Sequence, residues 1–223
     1  MPYHRTEQVA RRLAARHAAI IAAARQAASE GGMAAVQIAP VAERAGMAAG
    51  TVYRYFAGKT ELIAALLDEI SGREIGALRS AAAAAPGPLS ALAAAFMTFA
   101  ARALGERRLF FAAIAEPVDA ELDDAARCGF RKALAAEFAA LAAAAIADKH
   151  LPEQDTVLFG AAIVGLLVEG LIVPFAPAAA GREREIVQSL ALIALRGLGV
   201  TDARARGLVV QTPIFAVEQA GPA

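Results

Sequence analysis

Tryptophan is absent from this 223-residue chain, cysteine occurs once, and histidine and tyrosine three times each. The single Cys128 excludes an intrachain disulfide and has no metal-site spacing, which fits a reducing cytoplasm; it is expected to be a small buried apolar residue. His4, His17 and His150 are scattered, so no grouping suggests a metal, and no cofactor is expected. No G-x-S-x-G sequence occurs. Ala57-Gly58-Lys59-Thr60 ends like a phosphate-binding loop, but the first glycine of that motif would fall on Tyr53 and no strand precedes it. The pieces of an active site are missing, so an enzyme is not expected.

Alternating β-branched runs bounded by turns are missing too, which argues against a sheet. Alanine dominates and leucine follows, so an all-α protein is expected. The N-terminus is basic and polar, without the apolar core of a signal peptide. Residues 80–101 carry no charge but are broken by Pro86-Gly87-Pro88, and residues 156–181 contain Glu169, Pro174 and Pro177. The pieces read as too short for a hydrocarbon layer of about 30 Å, so a core or a subunit interface is expected rather than a membrane.

What is present is concentrated between Gly32 and Leu62. A short apolar segment (Ile38, Val41, Ala42, Ala45) ends at Gly46, and a second carries Thr51, Tyr53, Arg54, Tyr55 and Phe56 before Lys59 opens a third. Two short helices joined by a tight glycine turn form the helix-turn-helix pattern, whose second helix enters the major groove of DNA. Tyrosine, threonine and lysine suit phosphates, and arginine also suits a guanine edge. Thr51, Tyr53, Tyr55 and Lys59 are therefore expected on the backbone and Arg54 on a base.

Val41-Ala42, Ala45-Gly46, Gly50-Thr51-Val52-Tyr53, Tyr55-Phe56, Lys59 and Leu62 resemble the head of the tetracycline-repressor (TetR) family of bacterial regulators. The preceding helix, with Arg16, Ile20-Ile21, Ala23-Ala24 and Gly32, fits the same pattern. The resemblance covers about the first 65 residues and adds Gln37, Ala48, Ala49 and Gly50 to the expected DNA-facing set. Ala48 and Ala49 stand where the family usually has serine and lysine, and the second helix opens on Val36-Gln37 instead of a threonine or serine, with Pro40 shortly after. A proline is tolerated in a first helical turn, where its missing N–H costs nothing.

Charge supports the same reading. The chain is neutral overall, with 22 basic and 22 acidic residues, but residues 1–60 hold eight basic against three acidic residues. That segment is net +5 and the remainder net −5, an asymmetry suited to a phosphate backbone. Residues 1–60 are expected to be the DNA-binding domain, 61–199 a helical ligand-binding and dimerisation domain, and 200–223 a tail of no assignable role. Prolines, glycines and periodicity predict about nine helices, near 8–30, 37–45, 48–55, 59–85, 88–104, 106–116, 119–149, 153–173 and 183–198. Leu13, Ile20, Ala24 and Ala27 fall on one face of the first, and Asp123–Arg127 reads as an exposed pair on the seventh.

Leu158, Ala161, Ala162, Gly165, Leu166 and Val168 make the eighth helix apolar around much of its circumference, and Ile186, Leu190, Ile193 and Leu195 do so for part of the ninth. Such helices bury more than one side. Their surplus face is expected to meet a second copy, though a wholly intramolecular core is the alternative. The family resemblance implies the same, a two-fold homodimer built as a four-helix bundle.

Seven of the ten phenylalanines (Phe96, Phe99, Phe110, Phe111, Phe130, Phe138, Phe159) lie between residues 96 and 159. They point to a pocket for an apolar or aromatic effector, with Glu116, Asp119, Arg127 and Arg131 as polar groups. Plain core packing is the alternative for each ring. The function expected is that of a cytoplasmic repressor that leaves double-stranded operator DNA when a small effector binds. The competing class is a helical scaffold whose head has lost DNA recognition, motivated by Ala48 and Ala49.

Overall fold

Helical periodicity governs the chain because alanine and leucine supply propensity and regularly spaced burial at once. The computed structural model describes residues 3–116, 124–172 and 178–213. Among these residues there are ten α-helices, one 3-10 turn and no strand. The head comprises α1 (Tyr3–Gly31), the 3-10 turn Met33–Ala35, α2 (Ile38–Arg44) and α3 (Ala49–Val52). The body comprises α4 (Lys59–Ala83), α5 (Pro88–Gly105), α6 (Arg107–Ile114), α7 (Asp124–Ala147), α8 (Thr156–Leu171), α9 (Glu183–Gly197) and α10 (Asp202–Gln211).

The partners of α1 meet only its C-terminal half. Ile20, Ala24 and Ala27 are buried, while residues 7–18 are exposed. Leu13, expected on the same buried face, is 47% exposed, because burial depends on a partner reaching that far along the helix.

Gly87 and Pro88 start α5 where a proline fits best, since its missing amide is one of the unpaired N–H groups of a first turn. From there α5 packs against α4, α7 and α9 and buries more residues than any other helix among the described residues. Contrary to expectation, it is long and apolar enough to cross a membrane by length and composition, but it lies in the core. Glu74 on α4, 5% exposed, pairs with Arg102 on α5 through two bonds of 2.6 and 2.7 Å. That two-pronged bond holds the Arg102 guanidinium above its ordinary range.

Three further expectations are corrected. The tail contains α10, which buries Ala205 and Val209 and packs on α9 and α5. Cys128 is exposed. Arg127 is buried, and its Nη2 donates to the Ala112 carbonyl at 3.0 Å, tying α7 to α6. Asp119 and Asp123 lie outside the residues whose side chains are described.

Candidate nucleic-acid interface

The turn between α2 and α3 is set by Gly46, whose φ of +64° is open to glycine and strained for other residues. Its amide donates to the Glu43 carbonyl at 3.0 Å, and that of Met47 to Ala42 at 2.8 Å. This is the Schellman closure of a helix, and it turns the chain sharply into α3. Val41, Ala42 and Val52 bury the inner side of the two helices. α3 is shorter than the expected 48–55 span, but its hydrogen bonding runs on. The amides of Arg54 and Tyr55 bond three residues back, to Thr51 and Val52, at 3.2 and 2.9 Å. The last turn is therefore a tightened continuation of the helix.

That geometry divides the expected contact residues. Ala48, Gly50, Tyr53 and Arg54 are exposed, whereas Ala49, Thr51 and Lys59 are half-buried. Gln37 is exposed at the start of α2, where its Nε2 donates to the Ala34 carbonyl at 3.0 Å. Tyr53 is 57% exposed. Tyr55 is not disposed as expected: its hydroxyl is buried and has no hydrogen-bond partner among the described residues, while His17 stands against its ring at 6.4 Å between centroids. His17 also leans on Phe56 at 5.1 Å, joining α1 to the end of the α3 turn.

Ion pairs thin out the head's positive charge selectively. Arg44 is held by Glu30, whose carboxyl is pushed below the usual carboxylate range by that bond. Arg25 pairs with Glu106 at 3.5 Å, and Arg11 with Glu7. Arg12, Arg16, Arg54 and Lys59 carry no ion pair among the described residues. The cations left over include the two beside the recognition turn.

Ala48 begins α3 with extended backbone and no side-chain cap, so the turn lacks both a capping hydroxyl and the phosphate donor it would offer. Lys59 begins α4, which has 25 residues and is about 37 Å long at 1.5 Å per residue.

Residues 20–66 match the family model described as bacterial regulatory proteins, tetR family. Those residues carry the head of the TetR family. Solved structures agree on the fold. RolR in complex with resorcinol superposes with a TM-score of 0.64 at 20% identity, covering 91% of this chain and 96% of that one. FadR from Bacillus subtilis in complex with stearoyl-CoA gives 0.63 at 20% identity, over 77% and 96%. FadR from Bacillus halodurans gives 0.61 at 21% identity, over 78% and 94%. No curated protein matches the sequence.

Behind the head, Phe130 is 2% exposed, and Phe96, Phe99, Phe110 and Phe138 are at most 1% exposed. Phe99 meets Phe110 edge-on at 5.6 Å between ring centroids, and Phe96 meets Phe138 at 5.2 Å. These rings fill one another's space, in the tilted geometries that aromatic quadrupoles favour. Phe111, Phe159 and Arg131 are only half-buried. Glu116 does not face the rings as a pocket group: its carboxylate accepts the Met33 amide at 2.9 Å, at the start of the head's 3-10 turn. Sequence reasoning missed this contact between residues 83 positions apart, because nothing local to either residue announces it.

Proposed function

We propose that this chain is a TetR-family, sequence-specific DNA-binding repressor, released from its operator by a small apolar or aromatic effector. The observation that carries the reading is the exposed turn after Gly46. It presents Tyr53 and Arg54 outward beside Lys59, within the first 60 residues, which are net +5. Tyr53, Thr51 and Lys59 hold phosphates, Arg54 reads a base edge, and Gln37, Ala48, Ala49 and Gly50 lie close to the duplex.

The protein acts in the cytoplasm as a homodimer on a roughly palindromic operator, since two-fold protein and two-fold site go together. Exposed apolar residues support pairing through α8 and α9: Val157 is 76%, Leu158 67% and Ile193 50% exposed. The proposed DNA-binding domain is residues 1–60 and the ligand-binding and dimerisation domain 61–199, with α10 of the 200–223 segment packed onto the latter.

The effector is taken up at the phenylalanine cluster, entering where Phe111, Phe159 and Arg131 are half-buried and parting the closed rings of Phe96, Phe99, Phe110, Phe130 and Phe138. Resorcinol in RolR and stearoyl-CoA in FadR support effectors with an aromatic or an acyl portion. α4 is the lever: tilting its body end changes the separation of the two recognition turns. The effector must bind the non-operator state more tightly, and DNA must weaken effector binding by the same factor.

The test is footprinting and titration on the DNA upstream of the chain's own gene, against random DNA, at low and raised salt. Symmetric protection of two half-sites, with operator preference persisting in salt, is expected. Equal affinity for operator and random DNA would favour the scaffold reading that Ala48 and Ala49 motivate.

A further inference from the structure

Between the end of α4, the first turns of α5 and the end of α10 lies a cavity of about 200 Å³. It belongs to neither the head nor the phenylalanine cluster. Ala84 and Pro86 close the α4 side, Ser90, Ala94 and Thr98 the α5 side, and Leu208 the α10 side. Residues 90, 94 and 98 are spaced by four, so their side chains lie one above the other on a single face of α5. Alanine stops at its β-carbon and leaves the space between helices unfilled. Collapse of α10 into that space is opposed at its other end, where Asp202 bonds both Arg196 of α9 and Arg206.

The chemistry of the walls narrows the occupant. None of the residues lining the cavity is charged, so an ionised ligand would leave water without a partner, at a large desolvation penalty. The Thr212 hydroxyl is already committed to the Leu208 carbonyl at 2.8 Å. The Ser90 and Thr98 hydroxyls have no hydrogen-bond partner among the described residues. Both are half-buried, so each can donate to or accept from a guest. An apolar cavity of about 150 Å³ holds benzene, which makes a single substituted ring the size that fits here.

We propose that this cavity is a binding site for an uncharged, mostly apolar molecule of single-ring size carrying a hydroxyl or carbonyl group. Ser90 and Thr98 hold its polar group, and its ring lies against Ala84, Ala94 and Leu208. An occupant braces α10 against the α4–α5 corner, at the end of α4 furthest along the chain from Lys59. Any effect on DNA binding rests on the regulator reading above; the binding itself does not.

The test uses the full chain without DNA, benzyl alcohol as the neutral probe and benzoate as its charged counterpart, read by ligand-observed NMR and calorimetry. Saturable binding of one benzyl alcohol per chain is expected, with benzoate weaker by about tenfold or more, a difference of about 1.4 kcal/mol. Ser90→Leu and Thr98→Leu each fill the space and are expected to abolish binding, so that one remains informative if the other fails to fold. Val210→Ala, at a 77% exposed position of α10 outside the cavity lining, is expected to leave it unchanged. Absence of saturable binding, benzoate bound as tightly as the alcohol, or affinity unchanged in the leucine variants would overturn the proposal. A chain that takes benzyl alcohol but no DNA would leave this site standing and remove the regulator reading alone.

Discussion

The carboxylate of Glu116, just past the end of α6, sits where a β-carbon of residue 32 would have to be. A β-carbon built on Gly32 would lie 2.6 Å from both carboxylate oxygens. Gly32 has a φ of +73°, and it leads into the 3-10 turn whose first amide, that of Met33, the same carboxylate accepts. Glycine is needed here twice over, for the left-handed backbone and for the close approach. The contact joins the head to the end of α6, the helix that also carries Phe110 and Phe111, and with the Arg25–Glu106 pair it holds the head to the body besides α4.

Gly32→Ala is therefore expected to destabilise the protein by more than the roughly 1–2 kcal/mol of the left-handed backbone alone, because the displaced Glu116 leaves the Met33 amide unpaired. Glu116→Gln keeps a carbonyl acceptor and should be milder than Glu116→Ala. Urea unfolding midpoints of the three variants check the order; a Gly32→Ala protein as stable as the parent would show that the contact is not made.

Lys59→Ala should weaken binding to all DNA sequences alike and make the salt slope shallower by about 1. Arg54→Ala should instead cost about 1–3 kcal/mol at particular base pairs. Titrations on operator and random duplexes separate the two; equal losses on both would place Arg54 on the backbone.

The two tyrosines of the recognition turn should part company. Tyr53→Phe removes an exposed hydroxyl and is expected to weaken DNA binding. Tyr55→Phe removes a buried hydroxyl without a partner, so it should leave DNA affinity unchanged and relieve a desolvation penalty of about 1–3 kcal/mol. A loss of DNA affinity on Tyr55→Phe would mean that this side chain turns outward on the duplex.

Removing the arginine leaves the buried Glu74 carboxylate alone, so Arg102→Ala should destabilise by about 3–5 kcal/mol. Replacing both partners with apolar residues of similar size, Glu74→Leu with Arg102→Met, should recover most of that loss. Denaturant unfolding of the single and double variants makes the comparison.

The attachment of α10 should depend on pH. Hydrogen bonds from Arg206, and then from Arg196, hold the Asp202 carboxyl below the usual aspartate range. A depressed folded pKa contributes stability that is complete above the unfolded value and is lost as pH falls through the folded one. The difference in thermal midpoint between the parent and Asp202→Asn should therefore be complete at about pH 6, above the ordinary aspartate value of about 3.9, and shrink as pH falls below that value. A difference independent of pH would mean that these bonds do not outlast solvent competition.

Local spacing made the head and most helices legible. Gly46, Val41, Val52 and Phe56 sit within one short segment, so the turn and its buried side follow from residues that are neighbours in the chain. α10 escaped notice because its sequence, DARARGLVVQ, is polar and weakly periodic. The usable signals were Gly199 as a helix stop, the i,i+4 pair Asp202–Arg206, and Ala205 with Val209 on one face. Arg127 read as a surface residue because its pairing with Asp123 was judged along the helix alone. Its carbonyl partner, Ala112, belongs to another helix.

The sequence by itself determined the all-helical class, the helix-turn-helix and the charge asymmetry, since propensity, turn chemistry and net charge are properties of short stretches. Tertiary structure decided the rest. It buried the Tyr55 hydroxyl and five phenylalanine rings, set Glu116 against Gly32 and opened a neutral cavity under α10. Each of these depends on groups far apart in the chain meeting within a few ångströms, and hydrogen bonding and packing act only at that range.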